Sequence, residues 1–310
     1  FSALLSTLLK ASHAAPAAPE SLSSWFDHFG HYCLPGQSSA ANALLAGACA
    51  DRLGYAFAGG YAAALQGLLH ARELRPAALC VTESEGNSPR HIQTTLSAAA
   101  GQDQDGYVLN GEKAFVTMAD HAEWLWIAAS RGENDGRKDI VMVGVPRHSP
   151  GVTLVPLPAL PFAPEIGHAK VKLENVYVDA SEVLPQDGYA DYVKPFRTIE
   201  DLHVSAAASG MLLAHALRRQ WPQETIEAWL SLAHQWYALA HLPPASHATH
   251  LVLAGTMRRM QQLMESVTPL IEQDAEFANR WIRDRPLRNV ATKARSQRTQ
   301  NAWQQWLAST

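Results

Sequence analysis

The 310-residue sequence predicts an α+β protein with N-terminal helices, a central antiparallel β domain and a C-terminal four-helix bundle. Two observations carry this. Apolar residues recur at helical spacing before Pro76 and again after Tyr189. Between them the pattern changes to short alternating or apolar runs separated by turn-rich stretches such as Arg131-Gly132-Glu133-Asn134-Asp135-Gly136. The boundaries fall at 1–76, 77–188 and 189–310.

In chain order, residues 2–9 have no basic stretch before their apolar part and place Leu5, Leu8 and Leu9 on one helical face. They predict an amphipathic helix and not a signal peptide. Residues 14–19, Ala-Ala-Pro-Ala-Ala-Pro, read as a linker. Ser21 then stands as the cap of a short helix carrying Trp25, Phe26 and Phe29. Residues 38–52 and 53–73 read as Ala- and Leu-rich helices, and Gly59-Gly60 in the second allows a close helix approach.

Strands are predicted over 124–129, 140–145, 152–155 and 169–178. Residues 107–117 read as a β-hairpin, with Asn110-Gly111 supplying the positive φ values of a type I′ turn. The Pro-rich stretch 156–164 reads as a stiff surface connection. The bundle helices are 200–219 around Gly210, then 223–242, 249–273 and 277–307, divided by Pro222, Pro243-Pro244 and 274–276. Trp221, Trp229, Trp236, Trp281, Trp303 and Trp306 are expected in the core or an interface.

Composition narrows the function classes. A formal net charge of −4 and a pI near 6.4 give no electrostatic reason to expect nucleic acid or an anionic membrane as a partner. No run of apolar residues is long enough for a transmembrane span. Cys33, Cys49 and Cys80 lack metal or disulfide spacing, which fits a reducing cytoplasm. His241, His247 and His250 cluster without Cys partners or a Glu at zincin spacing, so no metal is expected. No Gly-x-Gly-x-x-Gly follows a strand, which leaves a Rossmann nucleotide site unsupported.

Two stretches carry a family resemblance. Thr82-Glu83, with Ser88 after the polar loop Ser84-Glu85-Gly86-Asn87, and Leu109-Asn110-Gly111-Glu112-Lys113-Ala114-Phe115-Val116-Thr117 resemble the acyl-CoA dehydrogenase family, as a divergent, shortened member. The loop departs from the family pattern at Ser84, Asn87 and Pro89, and leaves Gly86 for backbone approach to a phosphate. Its hydroxyls and loosely held amides suit a polar cofactor edge.

The resemblance implies a barrel-like β domain, FAD as cofactor, an acyl-CoA or related thioester as substrate, an electron-carrier protein as partner, and a homodimer or homotetramer. It gives Thr82 and Thr117 to the isoalloxazine edge, Phe115 to packing on the ring, and Ser88 to the neighbourhood of the phosphates.

Toward the C-terminus the resemblance thins. The family Arg nine residues before the helix Gly is Asp201 here, and the Arg-x-x-Phe-Gly motif is absent near 226–230. The usual Glu after an Arg-Asp pair would follow Arg283-Asp284, but the offset lands on Thr292. The isovaleryl and long-chain branch places its catalytic Glu ten residues before that Gly, which is Glu200 here. Glu200 is therefore the candidate base, against an ordinary helix N-terminal acid favoured by the dipole. Arg288, Arg295 and Arg298 read as a solvated face or as a phosphate site. A non-catalytic scaffold and a flavin monooxygenase are the alternatives to the dehydrogenase.

Overall fold

The computed structural model describes residues 1–13, 21–33, 36–99 and 106–308, so the linker expected at 14–19 lies outside the described residues. The chain forms two compact units. One comprises Phe1–Leu74, Leu160–Glu165 and Thr198–Thr310, and the other Arg75–Ala159 and Ile166–Arg197. The fold is mixed α+β.

The helical unit begins with α1 (Ser2–His13), whose buried face is Leu4, Leu8 and Ala11. That corrects the Leu5/Leu8/Leu9 face, because Leu9 is 38% exposed. Ser21 caps α2 (Leu22–Gly30) reciprocally with Ser24, and Trp25 and Phe29 are buried. Helices α3 (Ser39–Ala48) and α4 (Leu53–Leu68) are almost wholly buried, and their small residues let backbones meet.

A Cβ on Gly59 would lie 2.3 Å from the Ala46 Cβ, and one on Gly60 would lie 2.9 Å from the His203 carbonyl oxygen. The expected close approach is therefore present, against both α3 and α5 (Lys194–Arg218). Gly210 on α5 meets the Leu44 backbone in the same way.

The unit continues through α6 (Gln223–Leu239), α7 (His247–Ser266), α8 (Thr268–Ile271), α9 (Ala275–Asp284) and α10 (Thr292–Ala308). The single helix expected over 277–307 is in fact α9 and α10. A 3-10 turn over Arg285–Asn289 divides them where Pro286 cannot continue an α-helix. Trp229 and Trp236 are fully buried, while Trp303 and Trp306 on α10 are 50% and 45% exposed.

The Pro-rich connection departs from expectation in part. Ala163 is buried and its N–H donates to the Asp284 carboxylate at 2.8 Å, and Glu165 pairs with Arg283 at 2.7 Å and Arg52 at 3.3 Å. Residues 160–165 belong to the helical unit and are anchored there by Ala163 and Glu165, while most of the connection lies at the surface as expected.

The second unit is a seven-stranded sheet: β1 (Ala77–Cys80), β2 (Thr95–Ala98), β3 (Gly106–Thr117), β4 (Trp124–Asn134), β5 (Arg137–Pro146), β6 (Val152–Pro156) and β7 (His168–Asp179). It is not purely antiparallel. β1 and β2 both pair with β4 in parallel, while β2/β3, β3/β7, β4/β5 and β6/β7 are antiparallel.

The hairpin expected at Asn110-Gly111 is absent. Residues 106–117 form one 12-residue strand, with a register shift against β7 between Leu109 and Gly111. Gly111 has φ +152 and a Cβ there would lie 2.5 Å from the Thr94 hydroxyl, so the glycine serves a bulge beneath a crossing backbone. Asn110 accepts the Asn175 N–H at 2.8 Å through its side-chain oxygen, which leaves it in the ladder and not at a turn. The inward residues Leu109, Val116, Leu125, Ile127, Val143, Val171 and Val176 form the core of this unit.

Candidate functional site

The Thr82-Glu83 motif is held by charge inside the sheet. Lys113 is fully buried and its ammonium donates to Glu83 Oε1 at 2.6 Å and to the Ala128 carbonyl at 2.7 Å. Glu83 also accepts from the Gln93 N–H at 2.7 Å, the Thr94 N–H at 3.1 Å and the Thr94 hydroxyl at 2.7 Å. Burial would raise the Glu83 carboxyl, but Lys113 and these donors outweigh it and hold the group below its usual range. Burial pushes Lys113 down against the pull of Glu83. This pair fixes the strand leaving β1 to β3, and the Thr82 carbonyl accepts the Ala114 N–H at 2.8 Å. Thr82 is thereby brought one residue from Phe115.

The following loop is tighter than expected. The Glu83 N–H donates to the Gly86 carbonyl at 2.9 Å and the Gly86 N–H to the Glu83 carbonyl at 3.0 Å, so those amides are spent on each other. Gly86 has φ +132, yet a Cβ there would meet the His91 Nδ1 at 2.8 Å. The His91 ring occupies the space where a phosphate would approach Gly86, and Ser88 Oγ lies 3.1 Å from the same Nδ1. Arg197 donates to Asn87 Oδ1 at 3.1 Å, which brings a guanidinium to this loop from the first turn of α5. Sequence reasoning missed Arg197 because its partner is 110 residues away.

Phe115 and Thr117 share the outward face of the C-terminal end of β3. Phe115 is 44% exposed, and its ring centroid is 4.4 Å from that of His168. His168 opens β7 and stands directly opposite Thr117 in the antiparallel register. An exposed aromatic beside a hydroxyl and an imidazole can receive a planar ring with a polar edge.

The β unit also contains a cleft of about 460 Å³ lined by Arg90, Arg137, Lys138, Glu133 and Tyr189 among others. Lys138 reaches the Ile92 carbonyl at 2.6 Å at this cleft.

Glu200 lies on α5 in the helical unit, whereas Thr82, Ser88, Phe115 and Thr117 lie in the β unit. Because α5 starts at Lys194, Glu200 is beyond the first turn, where a helix-dipole explanation loses its force. Its neighbour Asp201 is buried between Arg295 at 2.8 Å and Arg298 at 2.7 Å. Those arginines form neither a solvated face nor an open phosphate site. Among the described residues no group of His, Cys, Asp and Glu is arranged to hold a metal ion, and no helix is long and apolar enough to cross a membrane.

Residues 78–176 match the family model described as acyl-CoA dehydrogenase, middle domain. The match covers the central segment and leaves the helical segments on either side outside it. The resemblance read from Thr82 to Thr117 is borne out. A curated relative, the probable acyl-CoA dehydrogenase YngJ of Bacillus subtilis (strain 168), is 31% identical over 115 residues, which is 36% of this chain. The chain spans only 30% of that relative's length.

The butyryl-CoA dehydrogenase of Megasphaera elsdenii superposes with a TM-score of 0.69 at 15% identity, covering 97% of each chain. A solved FAD-dependent dehydrogenase gives 0.68 at 15% identity, over 99% of this chain and 98% of that one. At these identities the likeness is one of fold, and the acyl-CoA dehydrogenase-like fold extends over the whole chain.

Proposed function

We propose that this chain is an FAD-dependent, acyl-CoA dehydrogenase-like oxidoreductase that introduces a Cα–Cβ double bond into an acyl thioester. The observation carrying this reading is the outward face at the end of β3 and β7, where Phe115 stands 44% exposed beside Thr117 and His168. An aromatic left that open, next to the fully buried Val116 on the same strand, suits a flat partner.

The residues fit FAD at the ring end: Phe115 offers a stacking surface, and Thr117 and Thr82 offer hydroxyls. At the loop end the fit is through side chains, Ser88 Oγ, Asn87 and the Arg197 guanidinium, since His91 fills the approach to Gly86. Bound FAD supplies a two-electron acceptor for the β-hydrogen of the thioester as hydride. Glu200 is assigned the α-proton, which its carboxylate takes and holds. With Asp201 neutralised by two guanidiniums, the adjacent second charge no longer argues against that role. Arg90, Arg137 and Lys138 around the cleft are assigned the phosphates of the thioester's carrier group. Electrons pass to a carrier protein, and the chain works as a homodimer or homotetramer.

The test is the visible spectrum of the purified protein after incubation with FAD and removal of free cofactor, followed by anaerobic titration with saturated acyl-CoA thioesters. A bound flavin band that bleaches with thioester is the expected result, and Glu200→Gln is expected to abolish bleaching while leaving the band. A colourless folded protein would overturn the reading and favour a non-catalytic scaffold, which His91 against Gly86 also favours. A bound flavin that no thioester bleaches would favour a monooxygenase.

A further inference from the structure

The β3/β7 face contains a histidine that neither of the two sequence motifs includes. His168 is paired across the ladder with Thr117, so the two side chains leave the same side of the sheet. Its ring leans on Phe115 at 33°. Nδ1 is buried without a hydrogen-bond partner, while a hydrogen bond with the Ile166 backbone draws the ring toward protonation. A buried polar atom without a partner is costly, and such atoms are retained at sites where a ligand or a proton completes them.

We propose that His168 is a flavin-binding residue, whose imidazole forms hydrogen bonds with the polar edge of the isoalloxazine ring and makes the environment of the bound ring depend on pH. This rests on the reading that the β3/β7 face holds FAD. Three features carry it: the register with Thr117, the ring contact with Phe115, and the orphaned Nδ1.

The charged and titratable surroundings favour the same role. The Asp120 carboxylate lies against Gly167, 2.1 Å from where a Cβ would stand, and pulls the imidazole toward protonation. Burial pushes the other way and wins, which keeps His168 below the usual histidine range. His121 sits 3.5 Å from Asp120, and the Arg147 side chain donates to the Asp120 carbonyl at 2.7 Å. Lys170, two residues along β7, is 3.7 Å from Glu112. Burial thus keeps the His168 ring neutral at pH 7, with the Asp120 carboxylate close by.

The experiment compares wild type, His168→Leu, His168→Gln and His121→Gln for FAD affinity and for the absorption maximum of bound flavin between pH 5 and 8. Wild type is expected to bind FAD and to shift its maximum as pH falls. His168→Leu preserves contact with Phe115, so it should fold, yet it should bind FAD at least tenfold more weakly and lose the shift. His168→Gln should bind within threefold of wild type but also lose the shift, and His121→Gln should keep both. Wild-type binding and pH shift that persist in His168→Leu would overturn the role of His168 while leaving the flavin reading intact. Failure of wild type itself to bind FAD would overturn both.

Discussion

Lys113→Met removes one half of a charge pair that the sheet has closed off from water. The ammonium is fully buried, and with it gone Glu83 keeps the Gln93 and Thr94 donors but loses its only cation within 2.6 Å. Stranding one partner of a buried pair costs about 3–5 kcal/mol, and three surviving donors place this case near about 3. Glu83→Gln strands the ammonium instead, with the Ala128 carbonyl still at 2.7 Å, and should cost a comparable amount. The double replacement Glu83→Leu/Lys113→Met should cost much less than the sum, because no charge is left behind.

Urea denaturation followed by far-ultraviolet circular dichroism measures the loss. A Lys113→Met protein within about 0.5 kcal/mol of wild type, or a strictly additive double mutant, would refute the buried pair. It would also return Glu83 and Lys113 to the list of residues available for ligand chemistry.

Three further outcomes follow from the geometry. Gly60→Val drives a Cβ to within 2.9 Å of the His203 oxygen and the Val204 Cα, and should lower stability by about 2–3 kcal/mol in urea melts. Gly30→Ala, with nothing within 4 Å, should be neutral or slightly stabilising. Asp201→Ala removes the carboxylate that Arg295 and Arg298 share and should cost about 2–3 kcal/mol, recovered in part by Arg298→Met, measured by thermal unfolding.

His203 is buried, which pushes its pKa down to about 4 from 6.5. The unfolded chain then binds more protons than the native one between those values, so stability falls as pH drops from 6.5 toward 4, by about 1.4 kcal/mol per unit at most. His203→Gln should flatten that slope in urea titrations from pH 7 to 4.5. An unchanged slope would show that His203 is not held neutral.

The elements were legible where one physical cause set them. Alternating runs gave β4, β5 and β7, and small residues gave the helix contact at Gly59-Gly60. Asn110-Gly111 misled because a type I′ turn and a β-bulge both call for the same dipeptide. What decides between them is pairing along all of β7 and the crossing backbone at Thr94, neither of which is local. In the candidate site, the motif singles out Thr82, Phe115 and Thr117, and the structure sets Thr82 beside Ala114. It does not single out His168, His91 and Arg197, since their contacts with Phe115, Gly86 and Asn87 arise from folding. Lys113 could not be read as buried from its own neighbours, because its partner is 30 residues distant.

Asp201 shows how the divergence from the family pattern is compensated. At the position where the resemblance expects a cation, this chain has a carboxylate, and an isolated buried carboxylate on α5 would destabilise the helical unit. Arg295 and Arg298, one turn apart on α10, supply two guanidiniums to its two oxygens. The sign of the charge on α5 is inverted, and α10 provides the balance. A ligand phosphate seeking these arginines would therefore have to compete with Asp201 at 2.7–2.8 Å, and that carboxylate is already oriented and buried. The β unit brings other cations to polar surfaces: Arg197 donates to Asn87 in the loop after β1, and Arg137 lines the cleft. Phosphate recognition is accordingly sought in the β unit, with the α10 arginines serving stability.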